Sequence, residues 1–246
     1  MRQEKETNVY LYGKHALIEA LMGIPSSVRK VFLDTNAQAD KEITNLLNTH
    51  HLSFSEMKAS KKRVGEDAVH QGVIAELDQS KLYTNLESVL SQTRAGNPAI
   101  VILDELQDPH NVGAIIRSAA AFGASAVLLP EHHQAPITGA VIKVSAGMAF
   151  RIPIVRIGNV NQTIRLLKEK GFWTYGLVMG GDTRLKDAAF DTPTLFVVGN
   201  ESVGIREKTL ELCDVKLTIP MDPRCESLNA AAAASVVLYE WSRGQK

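Results

Sequence analysis

The sequence contains little cysteine and no long apolar run, which excludes several classes of protein. Two cysteines among 246 residues, Cys213 and Cys225, are too few for a disulfide framework or a cysteine-rich zinc site. No stretch approaches the roughly 20 apolar residues of a membrane-spanning helix. The charged opening MRQEKE is not followed by the apolar segment of a signal peptide. We therefore expect a cytoplasmic protein without a membrane span.

An excess of charge of one sign is also absent. Lysine and arginine number 27, aspartate and glutamate number 27, and the formal net charge is zero. A basic field over the whole molecule therefore cannot support nucleic-acid binding, which would depend on local patches. The densest basic cluster is formed by Lys58, Lys61, Lys62 and Arg63. This cluster is either a solvated helix face or an RNA contact.

Common catalytic motifs are missing as well. The motifs H-E-x-x-H, C-x-x-C and G-x-S-x-G do not occur, which argues against zinc hydrolases, redox enzymes and serine hydrolases. The dinucleotide-binding pattern G-x-G-x-x-G is absent too. The two histidine pairs, at residues 50–51 and 132–133, lack the spacing of metal ligands on a helix. We expect no metal site.

The apolar and polar pattern divides the chain into two parts. In the first part, short strand patterns near residues 31–33, 53–57 and 72–75 alternate with helical spacing at residues 13–21 and around Ile43. This pattern predicts a small α/β domain over residues 1–78. A connection with one helix is expected over residues 79–98, because the sequence AGNP at its end stops regular structure.

The second part, residues 99–246, has a cleaner pattern. The continuous apolar runs 99–103, 126–129 and 195–198 predict strands that are covered on both faces. They alternate with helical patterns, including residues 112–122 and a long final helix from Ser227. This alternation predicts an open, mostly parallel α/β sheet. Ligands of such sheets bind beyond the carboxyl ends of the strands.

The first loop at this edge, residues 104–117 (DELQDPHNVGAIIR), places an arginine on an apolar helix. Asn111 is a good helix N-cap, and Arg117 follows about one and a half turns later. A guanidinium among apolar neighbours must reach solvent or find a partner. Arg117 is therefore either paired with Asp104 or Asp108, or it has a functional role.

Two further loops attract attention. Residues 199–204 (GNESVG) join an apolar strand to a helix like a phosphate loop, but the lysine and hydroxyl residue of a Walker A motif are absent. A plain turn with a helix cap is the alternative. Residues 219–229 (IPMDPRCESLN) are stiffened by two prolines, and Ser227 is a plausible N-cap. The alanine run 230–234 that follows allows close helix packing.

Taken in order, these segments resemble a known family. The segments 111–117 (NVGAIIR), 198–204 (VGNESVG), 219–221 (IPM) and 227–229 (SLN) are similar to the three motifs of the SpoU/TrmH family of RNA 2′-O-methyltransferases, within the SPOUT superfamily. The similarity covers about residues 99–242. Residues 9–21 also resemble the accessory substrate-binding domain of the family, which is similar to small RNA-binding ribosomal proteins.

The resemblance implies a reaction. Members use S-adenosylmethionine to methylate a ribose 2′-hydroxyl, and the two-domain layout points to a guanosine of large-subunit ribosomal RNA. The same reaction on transfer RNA and a non-catalytic role in RNA binding or ribosome assembly are the alternatives. The resemblance also implies a deep trefoil knot in the last part of the sheet. It further implies a homodimer with the C-terminal helix near the interface.

The resemblance assigns roles to particular residues. Arg117 would be the catalytic arginine, positioned by Asn111 and Glu201 of its own or the partner subunit. Its pKa above ~12 makes arginine a poor base, so stabilising the developing alkoxide and orienting the phosphate is favoured over proton abstraction. Ser227 and Asn229 would shape the hydroxyl pocket. The residues implied to bind the cofactor are Gly199, Asn200, Gly204, Ile219, Met221 and Leu228.

One departure from the family pattern concerns the third loop. Many relatives have a glycine where this chain has Pro223, which Arg224 follows. A proline restricts the backbone far more than a glycine does. The departure predicts a stiffer or shifted loop over residues 222–226.

Overall fold

The computed structural model describes residues 8–57, 70–92 and 96–245. The basic cluster at residues 58–63 lies outside the described residues. The strands are β1 Asn8–Tyr12, β2 Val28–Leu33, β3 Phe54–Glu56, β4 Val73–Asp78, β5 Ala99–Asp104, β6 Ala126–Pro130, β7 Ile154–Ile157, β8 Trp173–Leu177, β9 Thr183–Arg184, β10 Thr194–Gly199 and β11 Val215–Thr218. The α-helices are α1 Lys14–Gly23, α2 Thr35–Gln38, α3 Lys41–Thr49, α4 Leu86–Gln92, α5 Pro109–Ala121, α6 Gly139–Val144, α7 Val160–Glu169, α8 Glu207–Leu210 and α9 Ala230–Arg243.

The chain packs as two compact units. One unit comprises Met1–Tyr83 together with Ile137–Arg151, and the other comprises Thr84–Pro136 and Ile152–Lys246. The predicted connection over residues 79–98 is therefore shared between the two units. The sequence pattern assigns the segment 137–151 to the larger domain. In the structure this segment belongs to the unit of the N-terminal residues.

Two close contacts hold residues 137–151 in the first unit. Gly139 approaches the backbone so closely that an added Cβ would lie 2.2 Å from the carbonyl oxygen of Tyr10. The guanidinium of Arg151 donates from Nε to Oε2 of Glu19 at 2.5 Å. The first unit is built on a four-stranded sheet in the order β1-β4-β2-β3. Strand β4 is antiparallel to both neighbours, whereas β2 and β3 are parallel.

The second unit is built on a seven-stranded sheet. Its order is β7-β6-β5-β10-β8-β11-β9, and every neighbouring pair is parallel. The predicted parallel α/β sheet is therefore confirmed. Every residue of the central strands β5 and β10 is buried, as expected for strands covered on both faces. Their register pairs Asp104 with Gly199, so these two strands end at the same level.

Helices α5 and α9 pack against each other on this sheet. The hydroxyl oxygens of Ser118 and Ser235 lie 2.7 Å apart across the two helices. Ala231 and Ala234 of the alanine run are buried, in agreement with the expected close packing. The ring of Phe122 meets that of Tyr239 edge to face, with centroids 5.8 Å apart.

The starts of both helices correct the sequence predictions. Helix α5 begins at Pro109, and its N-cap is Asp108, which accepts a hydrogen bond from the backbone NH of His110. Proline is favoured at the first helical position, so the cap lies three residues before the predicted Asn111. Helix α9 is capped by Asn229 rather than Ser227. Asn111 is thus left free to use its side chain elsewhere.

Within the described residues, no helix has the length and apolar character that a transmembrane helix requires. In the same part of the chain, no group of three or more His, Cys, Asp or Glu side chains could hold a metal ion.

Candidate active site

A cavity of about 650 Å³ opens at the carboxyl ends of β8, β10 and β11. It brings together loops that are distant in the sequence, as the parallel sheet predicts. All six residues that the resemblance assigns to the cofactor line it: Gly199, Asn200, Gly204, Ile219, Met221 and Leu228. Three residues assigned to catalysis line it too: Glu201, Ser227 and Asn229.

Much of the cavity wall is apolar. Leu177 ends β8, Met179 follows shortly after it, and both face the cavity together with Val198 and Leu217. Leu177 and Met179 belong to none of the three motifs, although their position at the carboxyl end of a strand was a usable signal. An apolar wall beside loop backbone groups suits a flat heterocycle with polar edges.

The loop at residues 199–205, called the cofactor loop below, is held by its own backbone. Asn200 and Gly204 exchange two backbone hydrogen bonds of 3.0 and 2.9 Å. The side-chain oxygen of Asn200 accepts from the backbone NH groups of Ser202 and Val203. Gly204 has a φ of +72°, in the left-handed region that favours glycine. The loop is a tight closed turn and not an extended phosphate loop.

Gly199 is required by the fold of the cofactor loop itself. A Cβ at this position would lie 2.2 Å from the backbone nitrogen of Ile205 and 2.3 Å from the carbonyl carbon of Gly204. Real Cβ atoms do not approach other atoms so closely. The absent side chain therefore allows the cofactor loop to fold back on its own strand.

Three polar side chains form a chain of hydrogen bonds beside the cavity. The Nδ2 of Asn229 donates to Oδ1 of Asn111 at 2.8 Å, and the Nδ2 of Asn111 donates to Oε1 of Glu201 at 2.9 Å. The Oδ1 of Asn229 is occupied by the backbone NH groups that begin α9. These partners fix the orientation of both amides. The nitrogen of Asn229 must donate to Asn111, and the nitrogen of Asn111 must then donate to the carboxylate of Glu201. We call Asn111, Glu201 and Asn229 the amide relay.

Arg117 lies apart from this relay. It is exposed on α5, and within the described residues its side chain makes no hydrogen bond or ion pair. It is also not among the residues that line the cavity. The six residues from Asn111 to Arg117 advance about 9 Å along a helix. Within one chain, the structure brings Asn111 and Glu201 to each other and not to Arg117.

The alternative that paired Arg117 with Asp104 or Asp108 is wrong. Asp108 caps α5, and the buried carboxylate of Asp104 belongs to Arg206. The Nη2 of Arg206 lies 2.6 Å from Oδ1 of Asp104, and its Nη1 lies 2.6 Å from Oε1 of Glu105. Burial lowers the pKa of Arg206, but the hydrogen bond and charge of the carboxylates outweigh it and raise that pKa.

The third loop carries a local fork. The backbone NH and Nε of Arg224 donate to Oδ1 of Asp222 at 2.9 Å each, and its Nη2 donates to Oδ2 at 3.1 Å. Hydrogen bonds from the Arg224 side chain and backbone lower the pKa of Asp222. An ion pair between Asp222 and Arg224 therefore joins the two residues on either side of Pro223.

Both cysteines are free. Burial raises the pKa of Cys213 to about 12, so its thiol carries almost no thiolate at neutral pH. Cys225 is exposed in the third loop. Cys213 therefore does not provide an activated nucleophile.

Comparison with known proteins assigns the family. The SpoU rRNA Methylase family profile matches residues 98–239, and the profile for RNA 2′-O ribose methyltransferase substrate binding matches residues 10–83. The fold and the cavity define an α/β domain with a ligand site at its strand ends, and the chain belongs to the SpoU rRNA methylase family. The resemblance seen in the motifs is thereby confirmed.

Individual relatives agree. The 23S rRNA (guanosine-2′-O-)-methyltransferase RlmB of Nitrosomonas europaea is 34% identical over 95% of this chain and 91% of its own length. An uncharacterized tRNA/rRNA methyltransferase of Synechocystis is also 34% identical, and this chain spans 63% of its length. The SpoU methyltransferase AviRb from Streptomyces viridochromogenes, solved with AdoMet, superposes with a TM-score of 0.81 at 25% identity, over 97% of this chain and 90% of that one.

Proposed function

We propose that this protein transfers a methyl group from S-adenosylmethionine to the ribose 2′-hydroxyl of a guanosine in large-subunit ribosomal RNA. The observation that carries the proposal is the convergence of the three motif loops on one cavity beside the amide relay. The guanosine and the ribosomal RNA are supported by the Nitrosomonas relative, whose name states both.

The residues of the cavity fit S-adenosylmethionine. Its volume of about 650 Å³ lies within the range of about 300–1,000 Å³ typical of small-molecule sites. Leu177, Met179 and Leu228 provide an apolar wall for the adenine, while the backbone of the cofactor loop and Ile219 provides polar groups. When bound, S-adenosylmethionine supplies a methyl group made electrophilic by a positively charged sulfur.

Arg117 is proposed to act on the RNA side of the reaction. The 2′-oxygen gains a bond to the methyl carbon while the carbon–sulfur bond breaks, and the hydroxyl proton leaves to solvent. A guanidinium beside that oxygen stabilises the developing negative charge and orients the adjacent phosphate. The amide relay holds the start of α5, the cofactor loop and the third loop in one arrangement, which keeps the cavity in place during transfer.

A homodimer is proposed because Arg117 is not among the described residues that line the cavity of its own chain. Arg117 is exposed and outside the cavity lining, so a second copy of the chain would supply its Arg117 to the cavity of the first. Val236 and Tyr239 expose 41% and 53% of their surface on α9, an apolar face suited to a partner helix. The resemblance places the same helix near the dimer interface.

The finer description of the fold is proposed too. We infer that the chain after β10 forms a deep trefoil knot, in which α9 passes through the segment around the cofactor loop. The strand order, in which β10 lies between β5 and β8, is compatible with this.

Residues 1–78 are proposed to bind the RNA, residues 79–98 to connect and residues 99–246 to catalyse, in keeping with the two profile matches. The cytoplasm is the proposed location.

The test is mapping of ribose methylation on purified RNA. The protein is incubated with S-adenosylmethionine and unmodified 23S ribosomal RNA or transfer RNA, and the digested nucleosides are identified by mass spectrometry. The expected product is 2′-O-methylguanosine from 23S RNA alone. Product from transfer RNA would move the substrate to that class. Tight RNA binding without product in either would support the non-catalytic alternative.

A further inference from the structure

Arg206 follows the second loop and lies outside the motifs, yet its guanidinium pairs with a buried carboxylate. Asp104 is fully buried at the end of β5. Its Oδ1 and Oδ2 accept from Nη2 and the backbone NH of Arg206, at 2.6 and 3.2 Å. A buried carboxylate without such partners is strongly destabilising. Arg206, which directly follows the cofactor loop, is therefore fixed to β5.

Glu105 adds two more attachments at the same place. Its carboxylate accepts a hydrogen bond from Nη1 of Arg206 at 2.6 Å, and its backbone carbonyl oxygen accepts one from Nδ2 of Asn200 at 2.8 Å. Its φ of +65° is unusual for a residue other than glycine. This conformation presents the side chain to one end of the cofactor loop and the carbonyl to the other.

Both ends of the cofactor loop are thus hydrogen-bonded to the same two residues, Asp104 and Glu105. Asn200 near the start and Arg206 after the end each bond to residues 104–105. Five of the residues between these ties, Glu201 to Ile205, line the cavity. The shape of that wall therefore depends on the Arg206 guanidinium, whose two Nη atoms donate to two different carboxylates; we call this arrangement the fork. The ammonium group of a lysine cannot reproduce the same geometry.

We propose that Arg206 is a positioning residue for the cofactor, because its fork across Asp104 and Glu105 fixes the cofactor loop in the shape that binds S-adenosylmethionine. This inference rests on the proposed function. Arg206 does not itself line the cavity, so it acts through the loop and not by touching the ligand.

The experiment compares four variants with the wild type. Arg206→Lys keeps the charge beside Asp104 but removes the fork. Glu105→Ala removes one tie while Asp104 stays paired, and Glu105→Gln keeps an acceptor oxygen at that tie. Arg165→Lys, at an exposed position on α7, is the matched control. S-adenosylmethionine affinity is measured by calorimetry, kcat and KM by methyl transfer, and folding by melting temperature.

The expected result is a loss of affinity that turnover at saturating cofactor does not share. Arg206→Lys should weaken S-adenosylmethionine binding about tenfold, which corresponds to about 1.4 kcal/mol, with kcat within about twofold of the wild type. Glu105→Ala should weaken binding about threefold on the same reasoning, and Glu105→Gln and Arg165→Lys should bind like the wild type.

Wild-type affinity in folded Arg206→Lys would overturn the inference. If that variant does not fold, wild-type affinity in Glu105→Ala overturns it instead, and a weakened Glu105→Ala restored by Glu105→Gln upholds it. A wild-type protein that binds no S-adenosylmethionine would remove the proposed function together with the inference. A binding wild type with unaffected variants removes the inference alone.

Discussion

At the scale of single residues, Asn111 shows how one amide can join a helix to two loops. Its oxygen and nitrogen are both occupied, by Asn229 and Glu201, and it is only 7% exposed. The helix start at Pro109 frees the side chain for this role. A side chain with a donor and an acceptor is needed at this position, because its two partners present opposite polarity.

Replacing this amide by a carboxylate should make stability depend on pH. Asn111→Asp places a carboxylate against Glu201, so one of the two pKa values rises above its unfolded value. Repulsion is then greatest when both are ionised and is relieved as pH falls through the raised pKa. We expect a loss of about 1–3 kcal/mol at pH 8 that shrinks toward pH 5. Urea unfolding at both pH values measures it; an equal loss at both would contradict the relay.

Arg117 is the residue whose removal should separate binding from chemistry. Arg117→Ala should lower kcat about 10²–10³-fold, because the developing alkoxide loses its charged partner. The affinity for S-adenosylmethionine should stay at the wild-type value, since Arg117 is proposed to act on the ribose and phosphate of the RNA and not on the cofactor. Single-turnover methyl transfer and calorimetry measure the two effects. Arg165→Ala is the control, and wild-type turnover of Arg117→Ala would refute the catalytic role.

At the scale of elements, the site depends on a strand that folds back on itself. The turn from β10 into the cofactor loop needs the space that Gly199 leaves, because a Cβ would meet the backbone of Ile205. The same turn is tied to β5 through Asn200. The cofactor wall is therefore a property of the strand ends and their register.

A methyl group at this turn should disrupt the loop and with it cofactor binding. Gly199→Ala forces the backbone at Gly204 and Ile205 to move, so S-adenosylmethionine affinity should fall below detection and the melting temperature should drop. Gly158→Ala is the control, because an added Cβ there meets nothing within 4 Å. A Gly199→Ala protein with wild-type affinity and melting temperature would show that the close approach is not required.

The sequence predicted most elements but not their contacts. The continuous apolar runs predicted the central strands, because an uninterrupted run that includes Ile100 or Leu195 suits a strand buried on both faces. Parallel order then brought the three loops to one edge. The pairing of Arg206 with Asp104 was not predictable, since it depends on the register of β5 and β10, which are far apart in the chain. The φ of Glu105 leaves no signal in the sequence either.

At the scale of the whole molecule, the proposed dimer predicts that two inactive proteins can restore activity together. Arg117→Ala lacks the arginine, and Leu228→Glu places a charge in the apolar cavity wall. In a mixed dimer, one site carries both defects and the other carries neither. An equal mixture that exchanges subunits contains half mixed dimers, so about a quarter of wild-type activity is expected.

The measurement is methyl transfer after co-refolding or co-expression of the two variants, with light scattering to establish the oligomeric state. Each variant alone is the control and should be inactive. If Arg117 serves the cavity of its own chain, every site in the mixture contains a defect. Activity of the mixture would then remain at the level of the separate variants, and the shared site would be ruled out.

The position of Asn229 near the end of the chain determines when the amide relay can form during protein synthesis. It caps α9 with its oxygen and holds Asn111 with its nitrogen, and it follows every other residue of the relay along the chain. A ribosome that stops before this position releases a polypeptide that contains Arg117 and the GNESVG turn but cannot complete the relay. We therefore expect the amide relay to form only after synthesis has passed Asn229.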